Sequence, residues 1–181
     1  MIKVFTGPMY SAKSNSLIEE YNKIWDKARV ICFKPSKDTR DFSKLYSRDN
    51  KETIKAKVIK DISEIKDNLE ENTSTVFIDE VQFLTGNAAE ILYISIHNNI
   101  DFYIAGLNLT SELKPFGIMP DILAIADEVV HLKACCAECN KRNAIYTYCL
   151  VDKQDDVLIG SNQYQPICSS CLQKKLIFAK K

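Results

Sequence analysis

The run Val4-Phe5-Thr6-Gly7-Pro8-Met9-Tyr10-Ser11-Ala12-Lys13-Ser14 restricts the folds open to this chain more than any other stretch. A short apolar strand over residues 2–5 runs into a loop that starts with glycine and ends in Lys-Ser. A helical apolar pattern follows at once, carried by Leu17, Ile18, Tyr21, Ile24, Trp25 and Ala28. The loop nearly matches G-x-x-x-x-G-K-[ST], with Ala12 where the second glycine usually sits. In such a loop successive backbone N–H groups point inward and cradle phosphate oxygens. The lysine reaches the outer phosphates and the serine hydroxyl can hold Mg²⁺. The helix N-terminus adds its partial positive charge toward the same place. The implied substrates are nucleoside triphosphates. A surface turn that merely contains Lys-Ser is the plainer alternative, and the strand and helix on either side weigh against it. Alanine at position 12 further predicts an ordinary negative φ there, because a Cβ in the left-handed region costs about 1–2 kcal/mol.

Apolar β-branched runs alternate with helical patterns along the rest of the chain: residues 30–33, 58–59, then Ile62/Ile65/Leu69, residues 75–78, then Ala88/Ala89/Leu92/Ile96, and residues 102–107. Residues 121–126 predict one more helix and 128–132 a closing strand. This alternation predicts an α/β fold, a mostly parallel sheet with helices on its faces. The charged stretch from Lys34 to Lys57 reads as a long exposed excursion, and the tail from Lys174 as a loose end. After Cys135 the texture changes to cysteine pairs and Tyr/Thr-rich stretches. A boundary near Lys133 therefore divides residues 1–133, the nucleotide-binding α/β unit, from residues 134–181, a small C-terminal lobe.

Residues 75–80, Thr-Val-Phe-Ile-Asp-Glu, form an apolar strand that ends in two acids. In phosphate-loop enzymes an aspartate here, on a strand expected beside the loop, helps hold Mg²⁺. A second carboxylate one residue later can accept a proton from an attacking hydroxyl, since an ordinary glutamate is ionised at neutral pH. An acidic strand end before a helix start is the plainer reading of Asp79 and Glu80. The phosphate loop tilts the balance toward chemistry.

Cys136-x-x-Cys139 and Cys168-x-x-Cys171 are separated by 28 residues. Two such pairs suit tetrahedral Zn²⁺, each turn presenting two thiolates, and a four-thiolate shell leaves no open position. Such an ion would be structural and would supply on the order of 10–16 kcal/mol toward folding a lobe with little core, and reduced buried cysteines are the plainer alternative. Cys135 competes for a place, but only Cys136 keeps the two-residue spacing. Cys32 and Cys149 read as core or strand residues.

Composition narrows the function. Lys+Arg and Asp+Glu are equal at 24 each, which excludes a dedicated basic nucleic-acid binder. No apolar run approaches the ~18 residues of a membrane span. Seven cysteines, an odd number, and no export-signal pattern predict reduced thiols and a cytoplasmic protein.

Five segments occur in order: residues 7–14; Lys37-Asp38-Thr39-Arg40; Ile78-Asp79-Glu80-Val81-Gln82-Phe83; Lys114-Pro115-Phe116-Gly117; and Ile159-Gly160…Tyr164-x-x-x-Cys168-x-x-Cys171. Together they resemble the cellular and poxviral type of thymidine kinase, the family with a zinc-bound lasso lobe, over residues 2 to about 172. The resemblance implies ATP-dependent phosphorylation of the 5′-hydroxyl of thymidine. It implies Glu80 as general base, with Gly7, Pro8, Met9, Tyr10, Ser11, Ala12, Lys13, Ser14, Arg40, Asp79 and Gln82 serving ATP, its phosphates and Mg²⁺. The nucleoside would meet Met9, Phe83, Leu107, Phe116, Thr147, Ile159, Gly160 and Tyr164, and Zn²⁺ would sit on Cys136, Cys139, Cys168 and Cys171. A homotetramer and feedback inhibition by thymidine triphosphate are further expectations of the resemblance. The chain departs from the family at Ala12, at Asn108-Leu109-Thr110-Ser111 (commonly Asp-Gly-Thr-Phe), and in a lasso one residue short between Gly160 and Tyr164. Two alternatives stand beside it: a phosphate-loop deoxynucleoside kinase of other or broader specificity, and a non-enzymatic zinc-ribbon adaptor.

Overall fold

The first strand, β1 (Ile2–Thr6), is buried along nearly its whole length, as a strand covered on both faces must be. The computed structural model describes residues 1–37, 44–46, 53–151 and 162–178. Over these, β1 lies in a six-stranded sheet with β2 (Val30–Pro35), β5 (Lys57–Ile59), β6 (Thr75–Ile78), β7 (Asp101–Gly106) and β8 (Glu128–His131). The spatial order is β5-β2-β6-β7-β1-β8, and every pairing is parallel. Parallel neighbours require crossovers; α1 (Lys13–Lys23), α2 (Glu64–Asp67), α3 (Ala88–Asn98) and α4 (Met119–Ala124) supply four of the five, and the one from β2 to β5 carries no helix among the described residues. The strand-helix alternation read from the sequence is this α/β sheet.

Side chains alternate along each strand and so feed two cores. On β6, Val76 and Ile78 join one cluster with Ile65, Ile91, Ile94, Met119 and Ile122 from α2, α3 and α4. Phe77 faces the opposite cluster, with Leu17 and Ile18 of α1. There its ring stacks on Tyr103 at 4.9 Å and meets Tyr21 edge-on.

Several sequence expectations need correction. Helix α1 stops at Lys23: Ile24 is extended (φ −75°, ψ 126°), and Trp25, the expected next turn of the apolar stripe, is 98% exposed. On α3 the buried residues are Ala88, Ile91, Ile94 and Ser95, whereas Ile96 is exposed. The exposed excursion after Lys34 contains an antiparallel pair, β3 (Lys44–Tyr46) with β4 (Thr53–Lys55), that tucks Leu45 and Ile54 into the α1-side core. Lys34 itself is buried, its Nζ donating to the Lys44 carbonyl. The expected loose end from Lys174 continues α5 (Ser169–Phe178).

Beyond β8 a separate small core forms from Ala134, Cys136, Ala144, Ile167, Cys168 and Leu172. It is spanned by β9 (Tyr146–Cys149) paired antiparallel with β10 (Tyr164–Ile167). Among the described residues, no helix is long and apolar enough to cross a membrane.

Candidate functional site

The site lies where the parallel strands β1, β6 and β7 end. Gly7 leaves β1 with φ +147°, and a Cβ there would lie 2.3 Å from the Leu132 carbonyl oxygen, so only glycine lets the loop turn in against β8. The loop over residues 7–12 then delivers Lys13 to the head of α1. Lys13 is buried, and its Nζ donates to the carbonyl oxygens of Gly7 (3.2 Å) and Pro8 (2.8 Å), with the Ser11 hydroxyl at 3.5 Å. The ammonium thus sits inside the loop's curve, where phosphate oxygens would be held.

Ala12 is the site's clearest departure from expectation. It occupies the left-handed region (φ 64°, ψ 30°) that an alanine was expected to avoid, and Tyr10 (φ 65°) does the same two residues earlier. The loop shape demanded of the usual glycine is therefore kept here at a cost of about 1–2 kcal/mol per residue. Helix α1 has no side-chain N-cap and no acid in its first turn. Its leading amides remain suited to an anion.

The acidic end of β6 meets the loop from the side. The Ser14 hydroxyl donates to Asp79 Oδ2 at 2.7 Å, and the Glu80 N–H donates to Asp79 Oδ1 at 2.9 Å. The sequence predicts this strand beside the loop, and its end is there, although in the sheet β7 lies between β6 and β1 and α1 bridges the gap by packing across β7. Glu80 is itself left-handed (φ 52°, ψ 38°) and half-buried. Gln82 Nε2 donates to Glu80 Oε2 at 2.6 Å, while Gln82 Oε1 accepts from the Leu107 N–H at 3.0 Å.

Apolar groups line the same rim. Phe83 and Phe116 meet edge to face at 5.4 Å, and Leu107 follows directly on β7. Met9 is half-buried, and its N–H donates to Thr147 Oγ1 at 3.0 Å, tying the phosphate loop to β9. The Thr147 hydroxyl is thereby engaged by the loop backbone, a contact between residues 138 positions apart that no local pattern announces. Tyr164 is buried on β10, opposite Cys149. Arg40, Ile159 and Gly160 lie outside the described residues.

The four expected cysteines converge. Cys136, Cys139, Cys168 and Cys171 place their sulfurs within 4.8 Å of one another, with Cys139 and Cys168 3.9 Å apart. A tetrahedron of thiolates at Zn–S distances near 2.3 Å has edges of about 3.8 Å, so this cluster could hold a zinc ion with little adjustment. Cys135, the rival ligand, is exposed and outside the cluster. Burial pushes the Cys136 thiol up, but the N–H groups of Cys168, Cys139 and Glu138 and the Cys139 thiol bring it down to about 6. Cys171 is pushed up to about 12, first by its hydrogen bond with the Cys168 thiol, then by partial burial and the other sulfurs. One sulfur ionises readily while a neighbour keeps its proton, as sulfurs this close do unless a cation lies among them.

A strand–loop–helix that wraps a buried lysine, a serine hydroxyl on an aspartate, and a neighbouring glutamate together define a phosphate-loop α/β protein of the phosphoryl-transfer class. A family profile described as thymidine kinase matches residues 1–172. The chain is 34% identical over 174 residues to the thymidine kinase of Mycoplasma mobile, covering 94% of this chain and 86% of that protein. It is 30% identical over 179 residues to the thymidine kinase of Pseudothermotoga lettingae, covering 96% and 95% respectively. The chain belongs to the thymidine kinase family.

Proposed function

We propose that the protein transfers the γ-phosphoryl group of ATP to the 5′-hydroxyl of thymidine, giving thymidine monophosphate for DNA-precursor salvage. The observation that carries this reading is the Ser14–Asp79 hydrogen bond at the head of α1, because it brings the two oxygen donors of a phosphate-bound cation together beside Lys13 and Glu80.

The residues present suit Mg²⁺. It prefers oxygen ligands, and cis oxygens around an octahedral ion at 2.0–2.1 Å lie about 2.9 Å apart, close to the 2.7 Å between Ser14 Oγ and Asp79 Oδ2. Bound with ATP, the ion neutralises charge that develops on the β- and γ-phosphates. The loop amides from Gly7 to Ala12 and the first amides of α1 hold the phosphate oxygens, and Lys13 turns from the loop carbonyls to the outer phosphates. Glu80 takes the proton of the 5′-hydroxyl as its oxygen bonds to phosphorus. The bond from phosphorus to the β–γ bridging oxygen breaks, and ADP departs with that electron pair. Phe83, Phe116, Leu107 and Met9 wall the nucleoside, with Thr147 and Tyr164 contributed by the C-terminal lobe. By the family resemblance, Arg40 would serve the phosphates and Ile159 and Gly160 the nucleoside.

Structural Zn²⁺ on the four cysteines holds residues 134–181 as a lobe against the nucleotide unit of residues 1–133. Reduced thiols of this kind support a cytoplasmic setting. Family resemblance supports a homotetramer inhibited by thymidine triphosphate. The test is a labelled-ATP assay over thymidine, deoxyuridine, deoxycytidine and purine deoxynucleosides, with zinc measured on the same sample. Thymidine should be the preferred acceptor. ATP turnover that needs no deoxynucleoside would reject the reading.

A further inference from the structure

Gln82 is almost fully buried, and both ends of its amide are engaged. The Leu107 N–H meets the amide oxygen at 3.0 Å, which fixes the orientation of the group. The NH₂ end therefore faces Glu80 and donates to Oε2 at 2.6 Å. The seat is shaped for this arrangement. A Cβ on Gly106 would fall 2.8 Å from Gln82 Oε1, and one on Gly117 would fall 2.1 Å from the Gln82 carbonyl oxygen. Glu80 holds a left-handed backbone conformation that persists only where its surroundings over-determine it.

We propose that Gln82 is a positioning residue for the base: it holds Glu80 ionised and aimed, and ties that aim to Leu107, the strand end that walls the nucleoside pocket. The inference deepens the reading of Glu80 as proton acceptor and rests on it. A donor on a carboxylate oxygen favours the charged form, whereas a neighbouring carboxylate such as Asp79 favours protonation. The Gln82 amide opposes that second effect. It also links the two halves of the reaction, because a nucleoside pressed on Leu107 bears on the same strand end that orients the base. The charged groups on the converging elements are Asp79 beyond β6, Lys13 on α1 and Lys34 on β2. On the loop after β7, Glu112 and Lys114 pair with each other at 2.8 Å.

The test compares wild type with Gln82→Met and Gln82→Glu, following kcat and kcat/KM for thymidine from pH 5 to 9 alongside thermal unfolding. Gln82→Met keeps length and loses both hydrogen bonds. Gln82→Glu keeps the acceptor for Leu107 and turns a second carboxylate oxygen on Glu80. In Gln82→Met, kcat should fall about tenfold or more, and the acid limb should move up by about one to two pH units. In Gln82→Glu, nearly isosteric with wild type and so the safeguard should the methionine variant fold poorly, the limb should move further. A folded Gln82→Glu enzyme whose acid limb matches wild type overturns the proposal. Glu80→Gln in the same assay separates the two claims. If it retains turnover, the base assignment fails; if it is inactive while the Gln82 variants keep the wild-type limb, only the role of Gln82 fails.

Discussion

Ser14 Oγ reaches Asp79 Oδ2 at 2.7 Å although their parent strands, β1 and β6, are held apart by β7. The contact exists because α1 leaves the phosphate loop across the face of β7 and carries its first turn toward the end of β6. A strand inserted into the sheet thereby separates the phosphate loop from its acidic partner along the backbone, while the helix rejoins them through side chains. Glu80, the next residue after Asp79, is thereby carried to the same end of the sheet, where its N–H donates to Asp79 Oδ1 and Gln82 donates to its carboxylate.

Removing one thiolate should dissolve the metal site. Cys168 is buried, and its N–H also donates to Cys136 Sγ at 3.4 Å. Cys168→Ser should drop zinc from about one ion per chain to near zero and loosen β9 and β10, which hold Thr147 against Met9. Elemental analysis with proteolytic mapping checks it. An unchanged zinc content would dismiss the four-cysteine site.

Ala12 spends conformational energy to hold a glycine's shape. Ala12→Gly should raise stability by roughly 0.5–1 kcal/mol, the relief of left-handed strain exceeding the added freedom of the unfolded chain. Ala12→Val should destabilise the protein and weaken ATP binding. Urea unfolding and ATP titration read both, and a glycine variant less stable than wild type would contradict the strain argument.

The Ser111 hydroxyl is buried with no hydrogen-bond partner among the described residues. Serine stands there where the family commonly has phenylalanine, so Ser111→Phe should supply an apolar wall and lower KM for thymidine several-fold, on the scale of one buried aromatic contact. Steady-state kinetics measure it. An unaltered KM would mean that another side chain already closes the pocket.

Burial pushes the Cys32 thiol from an ordinary 9.0 up to about 12, only partly offset by Lys27. The folded protein therefore holds this proton where the unfolded chain releases it. The corresponding stability is fully present below about pH 9 and is lost as pH rises toward 12. Against Cys32→Ala, wild type should lose an additional amount approaching 1.4 kcal/mol per pH unit above pH 9. Parallel stability curves for the two proteins from pH 8 to 10.5 would contradict the assignment.

What the sequence disclosed were features that local residues dictate. The strand–loop–helix at Gly7, the apolar β6 ending in Asp79 and Glu80, and the spacing of the four cysteines are each written in short windows, and the structure places them as expected. The β3–β4 pair was illegible because each strand has three residues, with only Leu45 and Ile54 inward among charged neighbours. The end of α1 was misjudged because Trp25 continues an apolar stripe that the backbone abandons at Ile24. The left-handed Ala12 and the lock on Gln82 are tertiary: partners such as Leu107, 25 residues away, impose them, and no local pattern announces them.

The most direct measurement is single-turnover phosphoryl transfer to thymidine by Glu80→Gln, with ATP binding followed in parallel. The substitution keeps size and removes the proton acceptor, so ATP affinity should stay within about threefold while the rate falls by about 10²–10⁴. A variant that transfers phosphate at near the wild-type rate would contradict the assignment of Glu80 as the base.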